Sequence, residues 1–232
     1  MNDRETLYLT ENTKLTVAKT ANSAPETLYN QHYVKTADKT DCDVRINEIV
    51  AETLLNKLNA MSNIKQITRE KSYKTPSHEK LAADVVLDSS NRSEELTAKW
   101  LYHKEIVGLG KILDFQVPLK NIQTDKAGKV DLLSHNSDTN VAHLLEFKMP
   151  ESPETLLRCM LEIYTYWCIV DGAKLLANFD IPNAELRKGV LVYNPSRPFT
   201  DFHECNMVRE LMSKLDVDFF VLDEGNSKII PQ

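Results

Sequence analysis

Glu146 and Lys148 flank Phe147 in the chain's Glu-x-Lys tripeptide, and Asp131 stands fifteen residues upstream. The tripeptide closes the strand-like run Val141 to Lys148, and side chains alternate across a strand. Glu146 and Lys148 therefore share one face, while Val141, His143, Leu145 and Phe147 share the other. The segment Lys129 to Ser134 reads as the preceding antiparallel strand, with His135 to Asn140 as a polar hairpin loop. Folding back that loop sets Asp131 opposite Leu144 or Glu146. Two carboxylates about 4 Å apart repel by roughly 4 kcal/mol at an effective dielectric near 20, so the pair calls for a cation or a proton. Magnesium takes hard oxygen ligands of this kind, and a bound divalent ion can polarise a phosphodiester oxygen and acidify a water. Lys148 would orient that water or balance charge growing on the phosphate. The alternative is a solvated strand face, on which Lys148 makes a cross-strand ion pair contributing roughly 0.2 to 1 kcal/mol per contact.

The elements around these residues set their meaning. Ser93 precedes a helical pattern in which Leu96, Trp100, His103 and Val107 recur, with Gly108 as its stop. Ile112 to Leu119 alternates, placing Leu113, Phe115, Val117 and Leu119 on one face and Asp114 and Gln116 on the other. After Pro150, the order Ser152-Pro153-Glu154 predicts a helix start, running to about Asp171 and ending at Gly172. Its apolar positions, Leu156 to Cys168, are too many for one stripe, so it is packed on more than one side. Lys188 to Tyr193 reads as a buried strand, His203 to Leu215 as a helix and Val217 to Leu222 as a last strand.

This order, with Asp131 on the second strand and Glu146 and Lys148 on the third, resembles the PD-(D/E)XK nuclease superfamily over roughly residues 91 to 224. The resemblance implies an α/β, restriction-endonuclease-like core: a mixed sheet with an antiparallel meander, flanked by helices. It implies a metal-dependent nuclease hydrolysing phosphodiester bonds, in DNA in preference to RNA. Mg2+ or Mn2+ would be held by Asp131, Glu146 and the Phe147 carbonyl, and Glu105 is a candidate for the extra acid that some branches carry on the first helix. Arg158 and Tyr164 on the following helix, and Lys71 and Lys74 upstream, are candidate substrate contacts. Val130 stands where the superfamily signature has proline, and Met160 and Tyr164 fall at the spacing of the Gln-x-x-x-Tyr found in some branches. The same resemblance accommodates a catalytically silent binding or scaffold module, and a homodimer is compatible with either. An unrelated α/β protein with accidental spacing is the remaining reading.

At 232 residues and 42% apolar composition, the chain has the make-up of a soluble globular protein with one sizeable core. Two parts are expected: an extension over 1–90 and the nuclease-like core over 91–232. In the extension, Ile46, Ile49, Val50, Leu54, Leu55 and Leu58 define an amphipathic helix expected to dock on the core, and Leu7, Leu9, Leu15 and Val17 suggest a hairpin about Thr10 to Lys14. Residues 18–43 show little periodicity. His103 and His143 read as structural histidines. Cys42, Cys159, Cys168 and Cys205 contain no Cys-x-x-Cys pair, which argues against a zinc site or disulfide framework and suits a reducing cytoplasm. No signal-peptide pattern opens the sequence, and no apolar run approaches a membrane span, so a cytoplasmic protein is expected. A net charge of -6 argues against indiscriminate high-affinity binding of polyanions, although Lys65, Arg69, Lys71, Lys74 and Lys80 form a locally basic stretch.

Overall fold

The apolar residues of the long strands divide between two faces of one sheet, and that division organises the molecule. A computed structural model describes residues 3–35, 45–83, 93–121 and 128–230. The first half is helical: α1 (Asp3–Ser23), a 3-10 turn (Pro25–Asn30), α2 (His32–Lys35), α3 (Ile46–Leu55), α4 (Leu58–Met61), α5 (His78–Ala83) and α6 (Ser93–Leu101). Next come β1 (Glu105–Ile106), β2 (Gly110–Pro118), β3 (Lys129–Asn136) and β4 (Val141–Lys148). They are followed by α7 (Leu156–Ile169), α8 (Gly172–Asn178), β5 (Glu185–Tyr193), α9 (Arg197–Glu204), α10 (Asn206–Lys214), β6 (Asp218–Leu222) and β7 (Ile229–Ile230). Among the described residues, none of these helices is long and apolar enough to cross a membrane.

The seven strands lie in sequence order in a single mixed sheet. β1 to β4 run antiparallel; α7 and α8 then carry the chain back so that β5 pairs parallel with β4, and β6 pairs parallel with β5. On one face, Ala142, Leu144, Val190 and Val192 pack with the apolar side of α7. On the other, Leu145, Phe147, Leu191 and Tyr193 pack with Ala98 and Leu101 of α6. The sheet curls around this second cluster: an isolated parallel bridge joins Val107 to Lys228, and the Ile229 N–H donates to the Val107 carbonyl at 2.9 Å.

The amphipathic segment forms α3 over Ile46–Leu55, with Leu58 opening the separate α4, and Val50, Ala51 and Leu54 enter the same cluster as α7. Each fully buried large apolar side chain contributes roughly 1.5 to 3 kcal/mol there. The Glu48 carboxylate adds a directed link by accepting from the Met207 and Val208 N–H groups, which open α10. The hairpin expected about Thr10 to Lys14 is instead part of α1. Val17 and Ala21 supply its buried side, and the Thr16 and Thr20 hydroxyls donate to the carbonyls four residues back, which fits threonine into a helix.

Four further expectations need correction. α6 stops at Leu101 because the next stretch of backbone is taken by β2: His103 N–H donates to Ile112 O, and Ile112 N–H to Lys104 O, both at 2.9 Å. His103 and Gly108 have positive φ, and Gly108 serves the β1–β2 turn rather than a helix end. A register shift between Ile112 and Asp114 and a positive φ at Gln116 interrupt the alternation of β2 on either side of Phe115, which joins Ile112 in the second cluster while Val117 and Leu119 face the first. α7 begins after Thr155, whose hydroxyl accepts from Arg158 N–H, and Asp171 caps α8, so Gly172 opens a helix instead of ending one. The helix expected over His203 to Leu215 is two, divided at Cys205, whose φ and ψ are extended. Cys159, Cys168 and Cys205 are free thiols, and Cys42 lies outside the described residues.

Candidate active site

The β3–β4 register pairs Leu133 with Leu144 and Leu132 with Leu145. One step further along the ladder sets Asp131 across from Glu146, one of the two partners anticipated. Asp131 is fixed from both sides: its Oδ2 accepts from the Phe147 N–H at 3.0 Å and its Oδ1 from Gln116 Nε2 at 3.0 Å. Alternation along β4 brings Glu146 and Lys148 onto this face, with Lys148 Nζ 2.9 Å from Glu146 Oε1 and 3.8 Å from Asp131 Oδ2. Exposure decides between the two sequence readings of this face: Asp131 is 9%, Glu146 3% and Lys148 4% exposed. The face is therefore not solvated, although Lys148 does make the ion pairs with Asp131 and Glu146 that the alternative reading expected.

Two more carboxylates close the ring. Glu94, in the first turn of α6, accepts from Lys148 Nζ at 3.0 Å, and Glu154, just before α7, reaches it at 3.4 Å. Along α7, Arg158 pairs with Glu154 four residues earlier and with Glu162 four residues later, the latter at 3.2 Å. The Tyr166 hydroxyl then donates to Glu162 Oε1 at 2.7 Å. Lys148 and Arg158 thus supply positive charge to a group containing Glu94, Asp131, Glu146, Glu154 and Glu162.

Electrostatics follow from burial and crowding. Burial, and then the Asp131 carboxylate, push the Glu146 carboxyl well above the ordinary glutamate range despite Lys148 beside it. Burial likewise raises Glu94. Burial works against the Lys148 ammonium, but Glu146 and Asp131 outweigh it and hold the amine charged above the ordinary lysine range. The buried Cys159 thiol on α7 is pushed up by the same loss of water, which keeps it neutral.

Hard carboxylate oxygens from α6, β3 and β4 suit magnesium or manganese in donor chemistry. Their present arrangement is an ion-pair cluster about Lys148, and among the described residues no group of three or more His, Cys, Asp or Glu side chains is gathered as a metal site. The oxygens suit such an ion in kind, and the Lys148 ammonium stands among them.

The other expected site residues are dispersed. Arg158 joins the cluster. Tyr164 does not: its ring packs toward β5, 5.9 Å from Lys188 Nζ, which also sits 4.1 Å above the Trp167 ring. Glu105 is exposed on β1 opposite Lys111, not on the first helix. The helix ends before it, and the acid α6 brings to the site is Glu94. Lys71 and Lys74 are exposed, in a segment tied down elsewhere: Glu70 N–H donates to Asn121 at 2.8 Å and Tyr73 N–H to Asn178 at 2.9 Å. Arg69 leaves the basic stretch altogether, since its buried guanidinium donates to Ser72 O and lies over the Tyr73 ring. His143 bonds Asp218 at 3.2 Å on the face away from Glu146, a structural role.

Glu154 was legible only as an acid at a helix start. Glu94 carried the same generic signal, since first-turn acids are favoured at any helix N-terminus. No family model, curated protein or solved structure matches the chain.

Proposed function

We propose that the chain is a metal-dependent nuclease of the restriction-endonuclease-like, PD-(D/E)XK type, hydrolysing phosphodiester bonds in DNA in preference to RNA. The observation that carries this reading is the convergence of Asp131, Glu146 and Lys148 from adjacent antiparallel strands onto one buried face. The parallel return of β5 beside β4 through α7 adds to it, because this is the sheet order such a core requires.

Asp131, Glu146 and the Phe147 carbonyl, joined by Glu94, would hold Mg2+ or Mn2+. Such an ion, when bound, polarises a phosphodiester oxygen and lowers the pKa of a coordinated water. Asp131 is held for its part by the Phe147 N–H and Gln116, so its carboxylate is oriented in advance. Lys148 carries a permanent positive charge beside the reacting phosphate and balances the charge that develops on it. Arg158, braced by Glu154 and Glu162, lies one helical turn behind and can meet a neighbouring phosphate.

The same fold used as a non-catalytic module is favoured by one observation, the engagement of Lys148 with Glu94 and Glu146. Cleavage assays on plasmid and on single- and double-stranded oligonucleotides separate the two. Chelator-sensitive cleavage that falls at least about a hundredfold in Asp131→Asn and Lys148→Ala is the expected result. Cleavage unchanged in both variants would sink the proposal, and no cleavage by any protein would favour the module.

A further inference from the structure

Lys148 ends β4 among carboxylates from three other parts of the chain. Its Nζ lies 3.0 Å from Glu94 on α6, 3.8 Å from Asp131 on β3 and 3.4 Å from Glu154 before α7, besides 2.9 Å from Glu146 on its own strand. A single ammonium therefore serves as the common partner of four acids that would otherwise repel one another at short range. This is more than orienting one water would demand. It is the task a bound cation performs.

We propose that Lys148 is the built-in counterion of this site: it holds the four carboxylates together in the metal-free protein and must release Glu94 and Glu146 before a divalent cation can bind. The inference rests on the metal-dependent reading above and specifies how that site is loaded. Burial supplies a direction for the movement. The side chains of Asp131 and Glu146 are 12% and 5% exposed and form the floor, whereas those of Glu94 and Glu154 are 37% and 30% exposed and form the rim. The lysine stem is flexible and its ammonium has no fixed donor plane, so it can withdraw from floor to rim while remaining paired. Glu154 is the partner it keeps, because Arg158 holds that carboxylate in place from α7. Metal affinity of the wild-type protein then includes the work of displacing an internal cation. Loss of the lysine charge strengthens metal binding even as it removes catalysis.

The test is manganese binding to the full chain, followed by calorimetry and electron paramagnetic resonance, in wild type, Lys148→Met and Asp131→Asn. Lys148→Met is expected to bind Mn2+ at least about tenfold more tightly than wild type, a modest part of what removing a competing unit charge at this range allows. Its unfolding midpoint is expected to rise more with Mn2+ than that of wild type, and Asp131→Asn to bind more weakly than either. Binding by wild type with equal or weaker binding by folded Lys148→Met would overturn the counterion and leave the metal reading standing. Absence of binding in wild type and Lys148→Met alike, both folded, would end both. Should Lys148→Met fail to fold without metal, the 15Nζ resonance of Lys148 in wild type decides: it is expected to shift and exchange faster on addition of Mg2+, and an unchanged resonance with Mg2+ bound refutes the displacement.

Discussion

Glu94 Oε1 lies 3.0 Å from Lys148 Nζ, so the first turn of α6 is tied to the last residue of β4 across 54 positions of sequence. This contact makes Glu94, not Glu105, the acid that the first core helix gives to the site. Glu94→Gln is expected to reduce metal-dependent cleavage about tenfold or more, the usual scale for losing a group that supports a metal site. Glu105→Gln, changed on the exposed edge opposite Lys111, is expected to leave cleavage and the unfolding midpoint unaltered. A reversal of the two effects would show that α6 is not the helix serving the site.

Stability should depend on pH in a direction set by the same cluster. The folded-state values of Glu94 and Glu146 are raised above 4.5, so in that window the folded protein binds more protons than the unfolded chain. Their contribution is complete below pH 4.5 and is lost as pH rises through the folded values. Lys148 is raised above 10.5, so its contribution is complete below that pH and lost only above it. Removing its charge leaves the carboxylates uncompensated. Lys148→Met is expected to be destabilised by about 3 kcal/mol near pH 7.5, the scale for breaking a buried pair, and by much less near pH 4.5. Urea unfolding of wild type and variant at both pH values measures it; an equal loss at each would place the effect in packing alone.

A second buried polar pair holds the segment before α6 against the sheet. His78 Nδ1 lies 2.6 Å from Asp114 Oδ1, the imidazole stacks on Phe115 at 4.2 Å, and burial raises the Asp114 carboxyl. His78→Ala removes the side-chain partner of a carboxylate that is 2% exposed and leaves it the Phe115 N–H at 2.9 Å. A loss of about 2 kcal/mol is expected, the scale for removing one hydrogen-bond partner from a buried polar group, together with faster exchange of the amide at position 78, whose N–H donates to Thr75 O. The double change His78→Ala with Asp114→Ala is expected to cost less than the single one, because no buried charge is then left alone.

The strand face bearing Asp131, Glu146 and Lys148 was legible because alternation is a local rule and a polar turn returns one strand on the other, although that turn is only Ser137 to Asn140, with His135 and Asn136 paired in β3 to Ala142 and Val141. β5 and β6 were legible as apolar runs. What escaped was set by partners distant in sequence. β1 exists because Ile112 claims the backbone of His103 and Lys104, and the reversal of Phe115 lies between a bulge and the positive φ of Gln116, neither of which apolar spacing encodes. α1 looked like a hairpin because Leu15 and Val17 alternate, yet Val17 and Ala21 are buried at helical spacing. Glu94 and Glu154 entered the sequence as ordinary acids near helix starts; only the arrival of β4 between them gives them a common cation.

Two glycines of the β1–β2 turn offer a controlled comparison of strain with collision. Gly108 and Gly110 have φ of 92° and 87°, so alanine is strained at either. A Cβ on Gly108 would meet only the Ile229 side chain at 3.5 Å, an ordinary contact, whereas one on Gly110 would fall 2.3 Å from the His135 carbonyl oxygen and 2.5 Å from the Asn136 Cα. Gly108→Ala is therefore expected to cost about 1 to 2 kcal/mol from backbone strain alone. Gly110→Ala must also push β3, the strand that carries Asp131, away from β2, and is expected to cost about 3 kcal/mol or more. Urea midpoints give the difference, and metal affinity gives its reach: displacement of β3 should weaken Mn2+ binding in folded Gly110→Ala but not in Gly108→Ala. Equal costs at the two positions would mean that the hairpin yields freely, and that the placement of Asp131 does not depend on this turn.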